Sequence, residues 1–369
     1  MRFKIIWIFP FLLLMAFFSC GEKKTATPDS LQKPHQVEVN YAKGFSIKKG
    51  EGYTLFTVFF NSRDSSSFIL DFNGQVKSDL PIIKHPVNRV ACLTTTVIPF
   101  FDKLESLDAI IAMAYLQFVQ NKSVKKLSEN GSIFNLSNTD VDTELLLAMG
   151  CRVLLSNSKG NLPIEQLNRC NIIPIYFTEY NENHPLAKAE WIKFFGALLD
   201  KEEEALKIFT EIEKNYLTVK NHSKNTGTKP KILFGYEYQG KWSAPGGMSY
   251  INQLIEDAGG EYFYTQDNST GSLYLDMEEL VITSQGASSW MIVSQYSQSP
   301  LLSQLAEENK YHKTFAEQTK GNVYLCNTLK NRYFEDAILE PDILLKDFVN
   351  AVFPEKNTTY TARYFVKLK

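Results

Sequence analysis

Residues 185–220 contain no internal proline after Pro185 and a single glycine, Gly196. Ile192, Phe195, Leu198, Leu199, Leu206, Phe209, Ile212 and Leu217 recur at spacings that mostly fit a helical period. The pattern predicts one helix about 50 Å long, at ~1.5 Å per residue. That is longer than a crossover helix inside one domain needs, but it suits a rigid spine between two. A chain built around such an element divides into a part before it and a part after it. The length of 369 residues agrees, at roughly 150 residues per domain.

Both flanks alternate strand and helix. Residues 37–86 read as a β-rich lead-in, with β-branched and aromatic runs at 53–60 and 68–72. Strands are then expected at 89–96, 109–114, 133–136, 151–155 and 172–176, with helices at 98–107, 140–149 and 163–168. After a polar turn at 221–230, strands are expected at 231–238, 290–294 and 323–326. Helices fall at 249–258, 277–285, 301–310 and 341–352. Such alternation implies parallel sheets covered by helices. The expected fold class is therefore α/β: two α/β lobes, 37–184 and 223–369, joined by one long spine helix, 185–222, with a β-rich N-terminal lead-in.

The N-terminus points to the compartment. Arg2 and Lys4 precede an apolar run over 5–18, too short to span a bilayer as a helix but right for a secretory signal. Its end, Phe17-Phe18-Ser19-Cys20-Gly21, resembles a bacterial lipobox, so residues 1–19 are expected to be a lipoprotein signal and Cys20 the lipidated residue. The polar, proline-containing stretch 20–36 then serves as a tether. The chain would sit in the bacterial cell envelope, on the periplasmic side and lipid-anchored, as a monomer. The formal charge of −2 provides no basic excess for nucleic acid. Of the five cysteines, Cys92, Cys151, Cys170 and Cys326 remain after Cys20, and a Cys151–Cys170 bond is conceivable.

Several stretches carry a resemblance. They are RVACLTTTVIPFF (89–101), DTELLLAMGCRVLL (142–155), HPLAKAEWIKFFGALLDKEEEALKIFTEIE (184–213), WSAPGGMSYINQLIEDAGGE (242–261), TGSLYLDME (270–278) and EPDILLKDFVNAVF (340–353). The layout and these phrases resemble the ABC-transporter substrate-binding proteins of the iron-chelate and cobalamin type. The resemblance implies a lipid-anchored protein that hands a metal chelate to an ABC permease and its ATPase. The ligand would be a ferric chelate or haem, with cobalamin second, and no cofactor would be required. It also implies an acidic docking residue on each lobe, for which Glu105 and Glu278 are candidates. Only a small hinge motion is expected.

Ligands of parallel α/β lobes sit beyond the carboxyl ends of the strands. The first lobe then offers Thr94, Thr95, Thr96, Tyr115, Gln117, Phe118, Asn157 and Ser158. The second offers Tyr236, Tyr238, Trp242, Gln295, Tyr296, Asn327, Arg332 and Tyr333. Aromatic rings and hydroxyls suit a large, partly planar ligand, and Arg332 suits an anionic one. Each has a structural alternative: the threonines can cap backbone groups at a strand end, and Arg332 can be a solvated loop charge. Trp242, in a loop beside Gly246-Gly247, favours ligand contact, whereas Trp191 favours packing. The five histidines are scattered, which argues against a bare metal site, and no hydrolase, P-loop or dinucleotide motif occurs. Two other functions stay open: a receptor lipoprotein working without a permease, and an α/β enzyme that lacks recognisable motifs.

Overall fold

The protein is seen in a computed structural model that describes residues 34–136, 141–160, 162–223, 227–355 and 359–369. The expected signal segment 1–19, Cys20 and the tether as far as residue 33 lie outside the described residues.

The lead-in is a sheet of its own: β1 (His35–Gln36), β2 (Phe45–Gly50), β3 (Tyr53–Asn61), β4 (Asp64–Asp71) and β5 (Ile82–Lys84). Neighbours pair antiparallel in chain order, except that β5 runs parallel to β4. Phe45 and Ile47, Phe56 and Val58, and Phe68 and Leu70 alternate onto one buried face.

The next elements are β6 (Val90–Cys92), α1 (Ile98–Lys103), β7 (Ile110–Ala114), α2 (Lys122–Glu129), β8 (Phe134–Leu136), α3 (Thr143–Ala148), β9 (Val153–Ser156), α4 (Ile164–Arg169) and β10 (Ile173–Tyr176). Their strands form an all-parallel sheet in the order β10-β9-β6-β7-β8. The chain reverses its direction of travel across the sheet between β6 and β9, where parallel sheets open a crevice.

The expected single spine is two helices, α5 (Pro185–Leu198) and α6 (Glu202–Ser223). Asp200 adopts a left-handed conformation, φ 59°, and the Lys201 N–H bonds back to the Gly196 carbonyl at 2.7 Å, a helix-ending pattern. Three consecutive glutamates, Glu202–Glu204, then occupy the first turn of α6, where the helix dipole favours negative charge. The two helices pack so closely that a Cβ on Gly196 would lie 2.4 Å from that of Ala205. α5 alone is about 21 Å long at ~1.5 Å per residue. It is buried on nearly every side, the mark of a core helix rather than a solvent-faced strut. Trp191 and Phe194 of α5 pack against Phe45, and Phe194 also packs against Phe56 and Phe68. Phe195 meets Phe100, Phe101 and Phe177. The helix thus ties the lead-in sheet to the first parallel sheet. Trp191 packs as expected.

Beyond α6 come β11 (Lys231–Phe234), β12 (Tyr236–Tyr238), β13 (Lys241–Pro245), α7 (Tyr250–Asp257), β14 (Glu261–Tyr262), β15 (Ser272–Leu275), α8 (Met277–Thr283), β16 (Ala287–Ser294), α9 (Leu302–Glu308), α10 (Lys310–Gln318), β17 (Val323–Asn327), α11 (Tyr333–Asp336), α12 (Pro341–Val352) and β18 (Val366–Lys367). The second main sheet has the order β14-β11-β16-β17-β18 and is parallel except for β18. The expected strand 231–238 divides at Gly235, φ 133°, where a Cβ would come within 2.4 Å of Ser243 O and Trp242 Nε1. β11 stays in the parallel sheet, while β12 turns away into an antiparallel sheet, β12-β13-β15.

Cys92, Cys151, Cys170 and Cys326 are free thiols, so the conceivable Cys151–Cys170 bond is not formed. No helix among the described residues is long and apolar enough to cross a membrane.

Candidate functional site

Two adjoining cavities lie where carboxyl-end loops of the two parallel sheets meet. The larger, about 460 Å³, takes Tyr180 and Glu182 from the loop after β10. Its other walls are Phe234–Tyr238 after β11, Ser243–Pro245 of β13, Val293 and Ser294 at the end of β16, and the start of α7. The smaller, about 270 Å³, lies between Thr96, Glu179 and Tyr180 on one side and Tyr333, Phe334 and Ile338 on the other, with Pro185 and Lys188 of α5 at its base. Tyr180 and Tyr250 line both. The larger cavity is of the size that holds small-molecule ligands, roughly 300–1,000 Å³.

The walls are aromatic and uncovered. Tyr180 is 53 % exposed, Tyr238 57 % and Phe334 60 %, although each is large enough to bury well over 100 Å² by usual measures. Rings left open around a concavity mark a surface built to be covered. Hydroxyls supply the polar edge. The Tyr250 and Tyr333 hydroxyls lie 2.8 Å apart, and burial pushes both phenols above their usual pKa. Tyr236 donates to Glu308 Oε2 at 2.7 Å and sits 2.6 Å from the Tyr296 hydroxyl, with Tyr296 pushed up to about 12, first by burial. These phenols therefore stay neutral at ordinary pH and act as hydrogen-bond donors and acceptors.

Glu179 is a buried acidic group of the wall, 5 % exposed. Its Oε2 has no close donor among the described residues, while the Thr96 hydroxyl hydrogen-bonds the carboxylate. Burial raises its pKa, against the lowering effect of the Lys188 ammonium. Lys188 donates to the Glu179 carbonyl at 2.8 Å and lies 5.0 Å over the Tyr250 ring, and burial lowers its pKa.

Of the residues singled out from sequence, the structure brings Thr96, Tyr236, Tyr238 and Tyr333 to the cavity walls. Thr94 and Thr95 do not line them: Thr94 is buried and caps the turn at Thr95–Val97 through its own hydroxyl. Tyr115 and Phe118 stack at 6.5 Å beyond β7, with Gln117 exposed between them, and none lines either cavity. Asn157, Ser158 and Gln295 are exposed and also lie off the walls. Asn327 holds the backbone of Tyr296 through both side-chain atoms, and Tyr296 stands behind Tyr236 rather than on the wall.

Two further candidates, Trp242 and Arg332, line neither cavity. Trp242 is fully buried, packed on Trp290 at 5.7 Å and Phe315 at 5.0 Å, with its Nε1 donating to the Phe234 carbonyl. It lies in strand β13, not in a loop, so its indole belongs to the core. Arg332 is not a free cation: its guanidinium pairs with Glu335 at 3.2 Å and Asp336 at 2.9 Å, one turn along the same short helix. Glu105, in the turn after α1, and Glu278, in the first turn of α8, are both exposed.

Sequence reasoning missed Glu179, Tyr180, Lys188, Tyr250 and Phe334. A signal existed for two of them. Glu179 and Tyr180 come shortly after strand β10, at the carboxyl end of a strand of the first parallel sheet, where ligands of such sheets sit.

A cleft of this kind, formed between parallel sheets and lined by open rings and neutral hydroxyls, defines a ligand-binding protein. The chain belongs to the periplasmic binding protein family, which it matches over residues 90–328. It is a substrate-binding protein and not an enzyme. An uncharacterised lipoprotein of Methanocaldococcus jannaschii is 25 % identical over 300 residues, covering 78 % of this chain and 70 % of the relative. Among solved structures, a possible iron-binding, periplasmic solute-binding protein of Staphylococcus epidermidis aligns with a TM-score of 0.57 at 14 % identity, over 72 % of this chain and 98 % of that one. A periplasmic haem-binding protein, HutB of Vibrio cholerae, aligns with a TM-score of 0.57 at 12 % identity, over 71 % and 98 %.

Proposed function

We propose that this chain is the lipid-anchored binding component of an ABC importer, capturing a metal chelate and delivering it to the permease. A ferric siderophore or haem comes first as ligand, and cobalamin second. The observation that carries the reading is the set of open rings, Tyr180, Tyr238 and Phe334, facing a cavity between the two sheets. Large chelates present much apolar surface and a few polar edges, which these rings and the adjoining hydroxyls complement. The possible iron-binding protein and the haem-binding protein among the structural neighbours favour the same class of ligand. On this reading the chain works as two lobes, 37–184 and 223–369, with Cys20 lipidated and Glu105 and Glu278 meeting the permease, one from each lobe.

The test is a fluorescence titration of the intact protein with a ferric hydroxamate, haem and cyanocobalamin. Trp290 Nε1 donates to the Gly235 carbonyl on the cavity wall at 3.0 Å, so a reporter sits beside the site. Quenching that saturates at micromolar ligand, and that weakens in Phe334→Ala, is the expected result. Absence of quenching by all three ligands refutes the chelate. Glu105→Ala with Glu278→Ala should leave chelate affinity alone and abolish uptake by cells carrying the transporter. Undiminished uptake removes both residues from the docking assignment.

A further inference from the structure

The charges around the cleft carry a statement about what can occupy it, and that statement rests on the chelate reading above. Among the described residues lining the two cavities, Glu179 and Glu237 are carboxylates and Lys188 is the cation, while the third carboxylate, Glu182, is turned to its own protein, accepting from Lys43 N, Gly44 N and Trp191 Nε1. Lys188 is turned to its own protein, donating to the Glu179 carbonyl and lying over the Tyr250 ring. Another carboxylate, Glu308, stands directly behind the wall, hydrogen-bonded to both Tyr236 and Tyr296. The guanidinium nearest in sequence to the wall residues Tyr333 and Phe334 is that of Arg332, and Glu335 and Asp336 already neutralise it. Asp336 in turn also holds Arg363, which is shared with Glu340. Among the described residues the cleft therefore presents more carboxylates than cations, and no unpaired guanidinium on its walls.

Glu179 makes the point independently of any count. Its Oε2 is buried without a close donor among the described residues and belongs to a cavity-lining side chain, although the Thr96 hydroxyl on the same wall hydrogen-bonds the carboxylate group. While ionised, a buried carboxylate oxygen is satisfied by a donor, and an anion placed there would cost free energy.

We infer that the cleft selects metal chelates with no net negative charge, neutral or cationic, that offer an N–H or O–H group to Glu179. Ferric trihydroxamates and corrinoids, with their amide N–H groups, match this chemistry. Ferric tris-catecholates do not, and the two carboxylates of haem would have to point away from Glu179 and Glu237.

The test uses the full chain and probes of different charge in one titration series: ferrioxamine B (cationic), cyanocobalamin (neutral), haemin (anionic) and a ferric tris-catecholate (strongly anionic). At low salt, the tighter of the first two should bind at least about tenfold more tightly than either anionic probe, and added salt should narrow the gap. Glu237→Lys, on the outer hairpin, should shift the ratio of affinities about tenfold toward the tris-catecholate. Glu179→Gln should shift it in the same direction. An anionic probe that binds wild type as tightly as the best neutral or cationic one overturns the inference while leaving the chelate reading intact. So does a Glu237→Lys protein with an unchanged ratio. If none of the four binds, the chelate reading fails, and the inference fails with it.

Discussion

Replacing Trp242 with alanine separates a core role from a ligand-contacting one. The indole is 0 % exposed and meets Trp290, Phe315 and the Phe234 carbonyl. Truncating a buried aromatic to alanine typically costs about 3–5 kcal/mol, the lost burial plus the cavity left behind. The indole N–H is deleted along with the ring, so the Phe234 carbonyl also loses a partner. At roughly 2–4 °C per kcal/mol for a unit of this size, the melting temperature should fall by roughly 6–20 °C. Trp242→Phe keeps most of the ring and should lose about half as much or less. The assay is thermal and urea unfolding followed by circular dichroism, together with chelate titration at a temperature where both variants are folded. A core residue lowers stability and leaves ligand affinity within a few fold. A Trp242→Ala protein that melts like wild type but binds chelate tenfold more weakly would refute the packing argument and return the indole to the site.

Gly196→Ala should destabilise by about 1–3 kcal/mol, because the new methyl would overlap Ala205 and force α6 away from α5; unchanged urea unfolding would contradict the close packing. Glu179→Gln should change stability with pH. The carboxyl's folded pKa is raised by burial, so the native state holds the proton more tightly than the unfolded chain. Its stability contribution is fully present below the ordinary value of 4.5 and is lost as pH rises through the folded value. The variant should therefore match wild type in acid and exceed it at neutral pH; a variant less stable at neutral pH would reverse the sign. Glu190→Ala should loosen the lead-in, since the buried carboxylate accepts the N–H groups of Asn40, Tyr41 and Ala42 at 2.7–2.9 Å and pairs with Lys193. Breaking such a buried pair costs about 3–5 kcal/mol, and faster amide exchange over residues 38–50 would report it.

Much of the architecture was legible because it is written in local periodicity. The strands at β7, β10 and β17 and the helix α12 fall within a residue or two of their expected bounds, since each is a short apolar run or a helical stripe closed by a turn residue. The spine was misread for a specific reason. Apolar periodicity does not notice a single left-handed residue, and Leu198-Leu199 carried the stripe across the break at Asp200. The acidic run at Glu202–Glu204 marked a helix start and was the better signal. The strand at 231–238 failed likewise, because Gly235 divides two β segments that look continuous in composition.

The site was less legible than the fold. Tyr236, Tyr238 and Tyr333 followed from the rule that ligands sit beyond strand ends. Trp242 could not be resolved that way, because a tryptophan near a strand end has the same sequence signature whether it faces cavity or core; which one holds depends on β13 pairing with β12 and β15. Arg332 reads as a free cation until the helix behind it brings Glu335 and Asp336 round to it. The secondary elements, their α/β order and the family were readable from the chain alone, since these depend on residues near one another along it. Which side chains face the cleft, and the sign of the charge they place there, was decided only when loops far apart in sequence met.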